Sequence, residues 1–224
     1  AQDDYLAFDT NSAVGIPLDN MVALAGITRR EETFTVSPLL FSGDNGTFIT
    51  AGSTVNSSIT GEDFNTTIGV GLTPNSASGI TVSVVSVADS TDYTITYAGS
   101  VNTQSITINS GVSATTASIL AALQAEILSG HPTLVSSVVG TTLVIDRVDV
   151  FQSVTFSVTA NLGITKVRKI GEGIAVNSGP IAQQANTITS ITTPILGWDS
   201  VTNPIAATEG NLRETDEELR LRFR

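Results

Sequence analysis

Gly197-Trp198-Asp199-Ser200-Val201-Thr202-Asn203-Pro204-Ile205-Ala206-Ala207-Thr208-Glu209-Gly210-Asn211-Leu212-Arg213-Glu214-Thr215-Asp216-Glu217-Glu218-Leu219-Arg220-Leu221-Arg222-Phe223-Arg224 closes the sequence and sets the terms on which the rest is read. A glycine turn leads into a short extended piece, a Pro/Gly loop follows, and a charged helix ends the stretch. Thr215 and Glu218 have the spacing of a capping box, which predicts a helix starting near residue 216. Asp216, Glu217 and Glu218 crowd the positive end of its dipole, and Arg220, Arg222 and Arg224 crowd the other. Asp216 with Arg220 and Glu218 with Arg222 stand at i,i+4 in the favourable order. Those pairings account for the carboxylates, so neither catalysis nor a metal is assigned to them. Leu219 and Phe223 form an apolar seam that is expected to dock on a partner outside the 224 residues.

Upstream, Ile164 to Ile170 alternates apolar with polar or basic side chains and reads as a half-exposed strand. Its basic face, Lys166, Arg168 and Lys169, suits a solvated surface or an acidic neighbour better than a dedicated anion site. Gly171-Glu172-Gly173-Ile174-Ala175-Val176 superficially resembles a dinucleotide fingerprint, but Val176 stands at the third glycine position and no helix is expected after it. Asn186 to Ile191 and Pro194 to Leu196 read as extended.

Residues 73–162 read as a separate unit. Strands are expected at Ile80 to Val87, Tyr93 to Tyr97 and Ser105 to Ile108, then a helix from Ala114 to Leu128 with Ile119, Leu120, Leu123 and Ile127 on one face. Gly130-His131-Pro132 breaks it, and strands at Leu134 to Val139, Thr142 to Ile145 and Val154 to Thr159 follow. The order suits a small α+β module with its helix laid across a sheet. His131 is expected in a surface loop.

Before that unit, Ala1 to Gly15 reads as an acidic arm or linker. Ile16 to Gly26 reads as a helix with Pro17 in the first turn and Leu18, Met21, Val22 and Ala25 on one face. Phe34 to Phe41 and Thr47 to Thr50 are expected to form a hairpin about Gly43-Asp44-Asn45-Gly46. Asp44 and Asn45 lack the spaced oxygen ligands of a calcium loop. Thr54 to Ile59 and Phe64 to Leu72 read as further strands.

Composition narrows the function. The balance of 10 Lys plus Arg against 21 Asp plus Glu gives a net charge of -11, which disfavours nucleic acid and anionic lipid surfaces. There is no Cys, hence no disulfide or thiolate metal site. No apolar run approaches the ~20 residues of a membrane span, and no signal peptide is recognised. A start at Ala1 and an end inside a helix lead us to expect a segment of a longer chain. With one His and no outstanding carboxylate pair, no enzyme and no cofactor are expected.

The strings Gly197 to Pro204, Ala206 to Gly210 and Glu214 to Arg222 together resemble the signature of the phage baseplate J-like family, wedge proteins of contractile tails. Leu18 to Arg29, Gly46 to Val55 and Asn177 to Pro180 running on to Thr193-Pro194-Ile195 fit the same family in the expected order. The resemblance covers about residues 14–72 and 163–224, leaving 73–162 as an insertion similar to small modules of other phage tail proteins. It implies a mainly β fold with short helices, a β-rich wedge core interrupted by a small α+β domain. The implied organisation is an arm at 1–15, the first part of the core at 16–72, the inserted domain at 73–162, and the second part at 163–224 ending in a connector helix. The implied role is a structural wedge subunit of the virion, assembled in the host cytoplasm with other wedge proteins and copies of itself near the tail hub, without membrane insertion. Trp198, Leu219, Phe223, Arg220 and Arg222 are then the candidate partner contacts. A β-rich adhesin or carbohydrate-binding module is the alternative, although only Trp198 and three Tyr offer aromatic platforms besides Phe.

Overall fold

A computed structural model describes residues 12–99 and 102–223, so most of the expected arm at 1–15 lies outside the described residues. The chain begins with α1 (Ile16–Leu24), then β1 (Phe34–Asp44), β2 (Phe48–Ile49), β3 (Thr54–Ser57), β4 (Asp63–Thr66) and β5 (Val70–Gly71). Next come β6 (Gly79–Val84), β7 (Asp92–Ala98), β8 (Thr103–Asn109), α2 (Thr116–Gly130), β9 (Leu134–Val139), β10 (Thr142–Arg147) and β11 (Thr155–Val158). The closing elements are β12 (Leu162–Ser178), β13 (Ile188–Ile191), β14 (Trp198–Thr202) and α3 (Asp216–Phe223). The fold is mainly β with three short helices among the described residues, a β-rich α+β architecture.

The 17 residues of β12 are the spine of a nine-stranded sheet. One edge of β12 pairs with β1, antiparallel from Phe34 opposite Ser178 to Asp44 opposite Lys166. Its other edge is divided: the first half pairs with β6 and Gly173 to Ala175 pair with β4. Beyond β4 lie β3 and β13, and beyond β6 lie β10 and β9. The strand expected at Ile164 to Ile170 therefore runs on through the glycine-bearing stretch after it. Glycine is required there by close packing: a Cβ on Gly171 would stand 2.8 Å from the Phe41 ring, and one on Gly173 2.6 Å from the Leu39 side chain.

The expected hairpin about Asp44-Asn45-Gly46 does not form. The turn is present, with the Thr47 amide donating to the Asp44 carbonyl at 3.1 Å, but β2 pairs with β5 instead of returning along β1. Both edges of β1 are already taken, one by β12 and one by β14. The strand expected from Phe64 to Leu72 breaks into β4 and β5 for the related reason that β4 pairs with β12 and β3 while β5 serves β2. The piece expected as extended at Pro194 to Leu196 joins no sheet, and at its end the chain turns through Leu196 and Gly197 into β14, with the Trp198 amide donating to the Ile195 carbonyl at 3.0 Å.

β7 lies between β8 and β11 in a three-stranded sheet, and α2 packs on β8 and β9. The helix is held at its start by a capping box between Thr115 and Ser118, and it buries Ile119, Leu120, Leu123 and Ile127 as its periodicity predicts. One continuous core runs from Leu39, Phe41 and Phe64 through Ile80 and Tyr93 to Leu120. A second, small core is separate from it: Ala13, Leu18, Val22 and Leu219, flanked by Met21, Ile27 and Phe223. It joins the first helix to the last.

Candidate assembly surface

The small core forms because α1 and α3 each carry a narrow apolar stripe and neither can bury it alone. Leu18, Val22 and Leu219 are fully buried where the stripes meet. The seam of Leu219 and Phe223, expected to need an outside partner, is thus covered by α1 of the same chain. We call this paired unit the cap.

Arg29 pins the cap. Its side chain is 8% exposed; Nε donates to Asp19 Oδ1 at 2.7 Å, Nη2 to Asp216 Oδ1 at 2.5 Å and Nη1 to the Glu214 carbonyl at 2.7 Å. Planar, five-donor guanidinium is suited to such a junction, and a Lys would leave most of these acceptors unserved. Asp216 also accepts from the Gly15 amide at 3.0 Å. The Arg29 guanidinium, with the Gly15 amide second, holds the Asp216 carboxyl below the usual carboxylate range. Contact with Asp19 in turn raises Arg29.

Glu214 is the second pin. It is buried, with Oε1 3.1 Å from Arg222 Nε and Oε2 accepting from the Arg30 amide at 3.0 Å. Arg222 also donates to the Thr28 carbonyl at 2.6 Å, and Arg220 to the Ala13 carbonyl at 2.6 Å. Of the i,i+4 pairs expected within α3, the Arg220 charge does act on Asp216, whose hydrogen bonds go to Arg29 and Gly15, while Arg222 is bonded to Glu214 and to the Thr28 carbonyl. The capping box itself is present: Thr215 Oγ1 accepts from the Glu218 amide at 3.3 Å, and the Glu218 carboxylate accepts from the Thr215 amide at 2.9 Å. That amide, first, and the Thr215 hydroxyl lower the Glu218 carboxyl.

Two straps connect the cap to the sheet, and they pair with each other. The Glu214 amide donates to the Arg30 carbonyl at 3.0 Å, the Thr33 amide to the Asn211 carbonyl at 2.9 Å, and Val36 and Thr208 exchange bonds of 2.9 and 2.8 Å. Outside the covered seam the cap presents apolar side chains to solvent: Leu24 is 92% exposed, Ile16 74% and Leu221 70%.

Trp198 lies away from the cap, in the sheet. It is buried with its ring centroid 5.7 Å from that of Phe41, and its Nε1 donates to the Ser200 carbonyl at 3.0 Å. Of the expected contacts, then, Leu219, Phe223, Arg220 and Arg222 come together in the cap, while Trp198 is part of the main core. Gly197 before it has φ +85°, and the Asp44 amide donates to its carbonyl at 2.7 Å, so the glycine turn locks β14 to the end of β1.

The basic face of β12 meets partners within the chain. Lys166 pairs with Asp199 and with Asp44 at 3.2 Å, and the Asp199 contact raises its pKa. Arg168 pairs with Asp146 and donates to Thr81 Oγ1 at 3.1 Å, and Lys169 donates to the Asn75 carbonyl at 3.2 Å. Sequence reasoning missed Arg29 and Glu214 as pins, since their partners lie up to 187 residues away. It also placed His131 on the surface, whereas the residue is 8% exposed and its Nδ1 lies 2.9 Å from the Tyr97 hydroxyl. The turn after α2 folds back over β7, and that long-range packing leaves no local signal.

Among the described residues, no group of three or more His, Asp or Glu is placed to hold a metal ion, and no helix is long and apolar enough to cross a membrane. No protein-family model matches the chain, and no curated protein matches it.

Proposed function

We propose that the chain is a structural wedge subunit of a contractile phage tail baseplate, assembling with other wedge proteins and with copies of itself around the tail hub. The observation that carries this reading is the meeting of two separated motifs. Leu18 to Arg29 and Glu214 to Arg222, two of the strings that resemble the baseplate J-like family, are joined by the Arg29–Asp216 ion pair and by the hydrogen bonds from Arg29 to the Glu214 carbonyl and from Arg222 to the Thr28 carbonyl. A role in assembly accounts for acidic and basic residues that serve geometry. It also gives the exposed Leu24, Ile16 and Leu221 a partner surface to cover.

The test substitutes the outward face and leaves the seam intact. Leu24→Glu combined with Leu221→Glu is expected to keep the circular dichroism spectrum and melting temperature of the parent while abolishing its incorporation into tails formed with the other wedge proteins. Normal incorporation of the double variant would refute the reading. Cutting the chain before Gly197 is a poorer test, because it strips β14 from β1 and removes Trp198 from the core.

A further inference from the structure

A cleft of about 540 Å³ opens where β7 ends, β8 begins and the loop after β10 crosses over them. Its lining includes Tyr97, Asn102, Gln104, Arg147, Gln152 and Ser153, and no carboxylate lines it. In a chain of net charge -11, that is a local reversal of sign.

The floor is built from buried polar groups. Tyr97 is 4% exposed and His131 8%. The Tyr97 hydroxyl is shared between His131 Nδ1 at 2.9 Å and Gln104 Oε1, which itself lies 3.2 Å from His131 Nδ1. Burying Tyr97 and His131 together is costly unless both are satisfied, and the exposed Gln104 side chain at the rim supplies the third member of the network. The network fixes the oxygen of the Gln104 amide toward the floor, so its NH2 group is directed away from it. Arg147 is held in a similar manner: Nε donates to the Gln152 carbonyl at 3.2 Å and Nη2 to Gln152 Oε1 at 3.3 Å. One edge of the guanidinium is thereby used, and Nη1 has no protein partner among the described residues. The Asn102 amide and the Ser153 hydroxyl likewise have none.

Amides and hydroxyls that both donate and accept match the vicinal hydroxyls of a sugar, and the free edge of a guanidinium matches a carboxylate. We propose that this cleft binds a single sugar unit bearing a carboxylate, with the acid group on Arg147 and the ring hydroxyls on Asn102, Gln104 and Ser153. This site does not rest on the assembly reading and stands or falls by itself.

The test is a titration of the intact chain, followed in amide NMR spectra, with D-glucuronate, D-glucose and acetate as probes. Millimolar glucuronate is expected to give saturable shifts at the Gly99, Gln104 and Gln152 amides, with glucose weaker at the same positions and acetate weakest. Arg147→Met should lower glucuronate affinity about tenfold and leave glucose unchanged. Gln104→Ala should weaken both sugars, with unshifted α3 amides reporting an intact fold. The proposal is overturned if neither sugar shifts the cleft amides, if acetate binds as tightly as glucuronate, or if Arg147→Met leaves glucuronate binding as it was.

Discussion

Asn203 closes the sheet where no ladder does. It is fully buried, and its Oδ1 accepts from the Thr187 and Ile188 amides at 2.9 Å each, while its Nδ2 donates to the Gln184 carbonyl at 2.7 Å and the Ile205 carbonyl at 2.9 Å. Through it β14 is tied to the start of β13, and the strands β14-β1-β12-β4-β3-β13 come round toward a ring. Asn203→Ala strands two amides and two carbonyls in the interior, so a loss on the order of 3 kcal/mol in chemical denaturation is expected. The other instructive residue is Asp216, whose titration sets an acid limit on the cap. Its folded pKa is lowered, chiefly by Arg29, so its contribution is present above the ordinary carboxylate range near pH 4 and is lost as pH falls through the lower folded value. The α1 and α3 amide signals should therefore collapse on acidification before those of β12, and Asp216→Asn should reduce the pH dependence of that step, leaving the part carried by Glu218, whose carboxyl is also lowered. The Thr215–Glu218 box was legible in the sequence because its atoms are three residues apart. The partners of Arg29 were not legible, because only the tertiary fold brings Asp19 and Asp216 to one guanidinium.

At the scale of elements, periodicity identified α1, α2 and the strands of residues 80–145 closely, because each carries its own burial pattern. What it misread was pairing. The Asp44-Asn45-Gly46 turn has hairpin chemistry, yet β1 is more fully satisfied by β12 along its length and by β14 on its other edge. Likewise Leu219 and Phe223 signalled a docked helix but could not name α1 as the surface. The cap and the sheet have separate cores, which predicts separable loosening. Leu219→Ala opens a cavity worth about 2–3 kcal/mol at a buried site. Its effect should be confined to the cap: trypsin is expected to cut faster after Arg29, Arg213 and Arg220 while sites in β12 stay protected. Equal acceleration at Lys166 would contradict separate cores.

On the scale of the whole molecule, β12 holds two regions together. Residues from 73–162 contribute β6, β10 and β9 to the same sheet that carries β1, β4 and β14, so the core is shared across the expected boundary. The described chain's two ends meet in the cap, whose straps pair residue by residue between Arg30 and Glu214, and Val36 and Thr208. These strap bonds tie the cap to the sheet at both ends of the described chain. The central claim is that partners cover the outward face of the cap. Hydrogen exchange measured on the free chain and on the chain mixed with the proposed wedge partners addresses it most directly. The account predicts that the amides of Ile16–Leu24 and Asp216–Phe223 gain protection on assembly; unchanged exchange there, with protection gained only elsewhere, would contradict it.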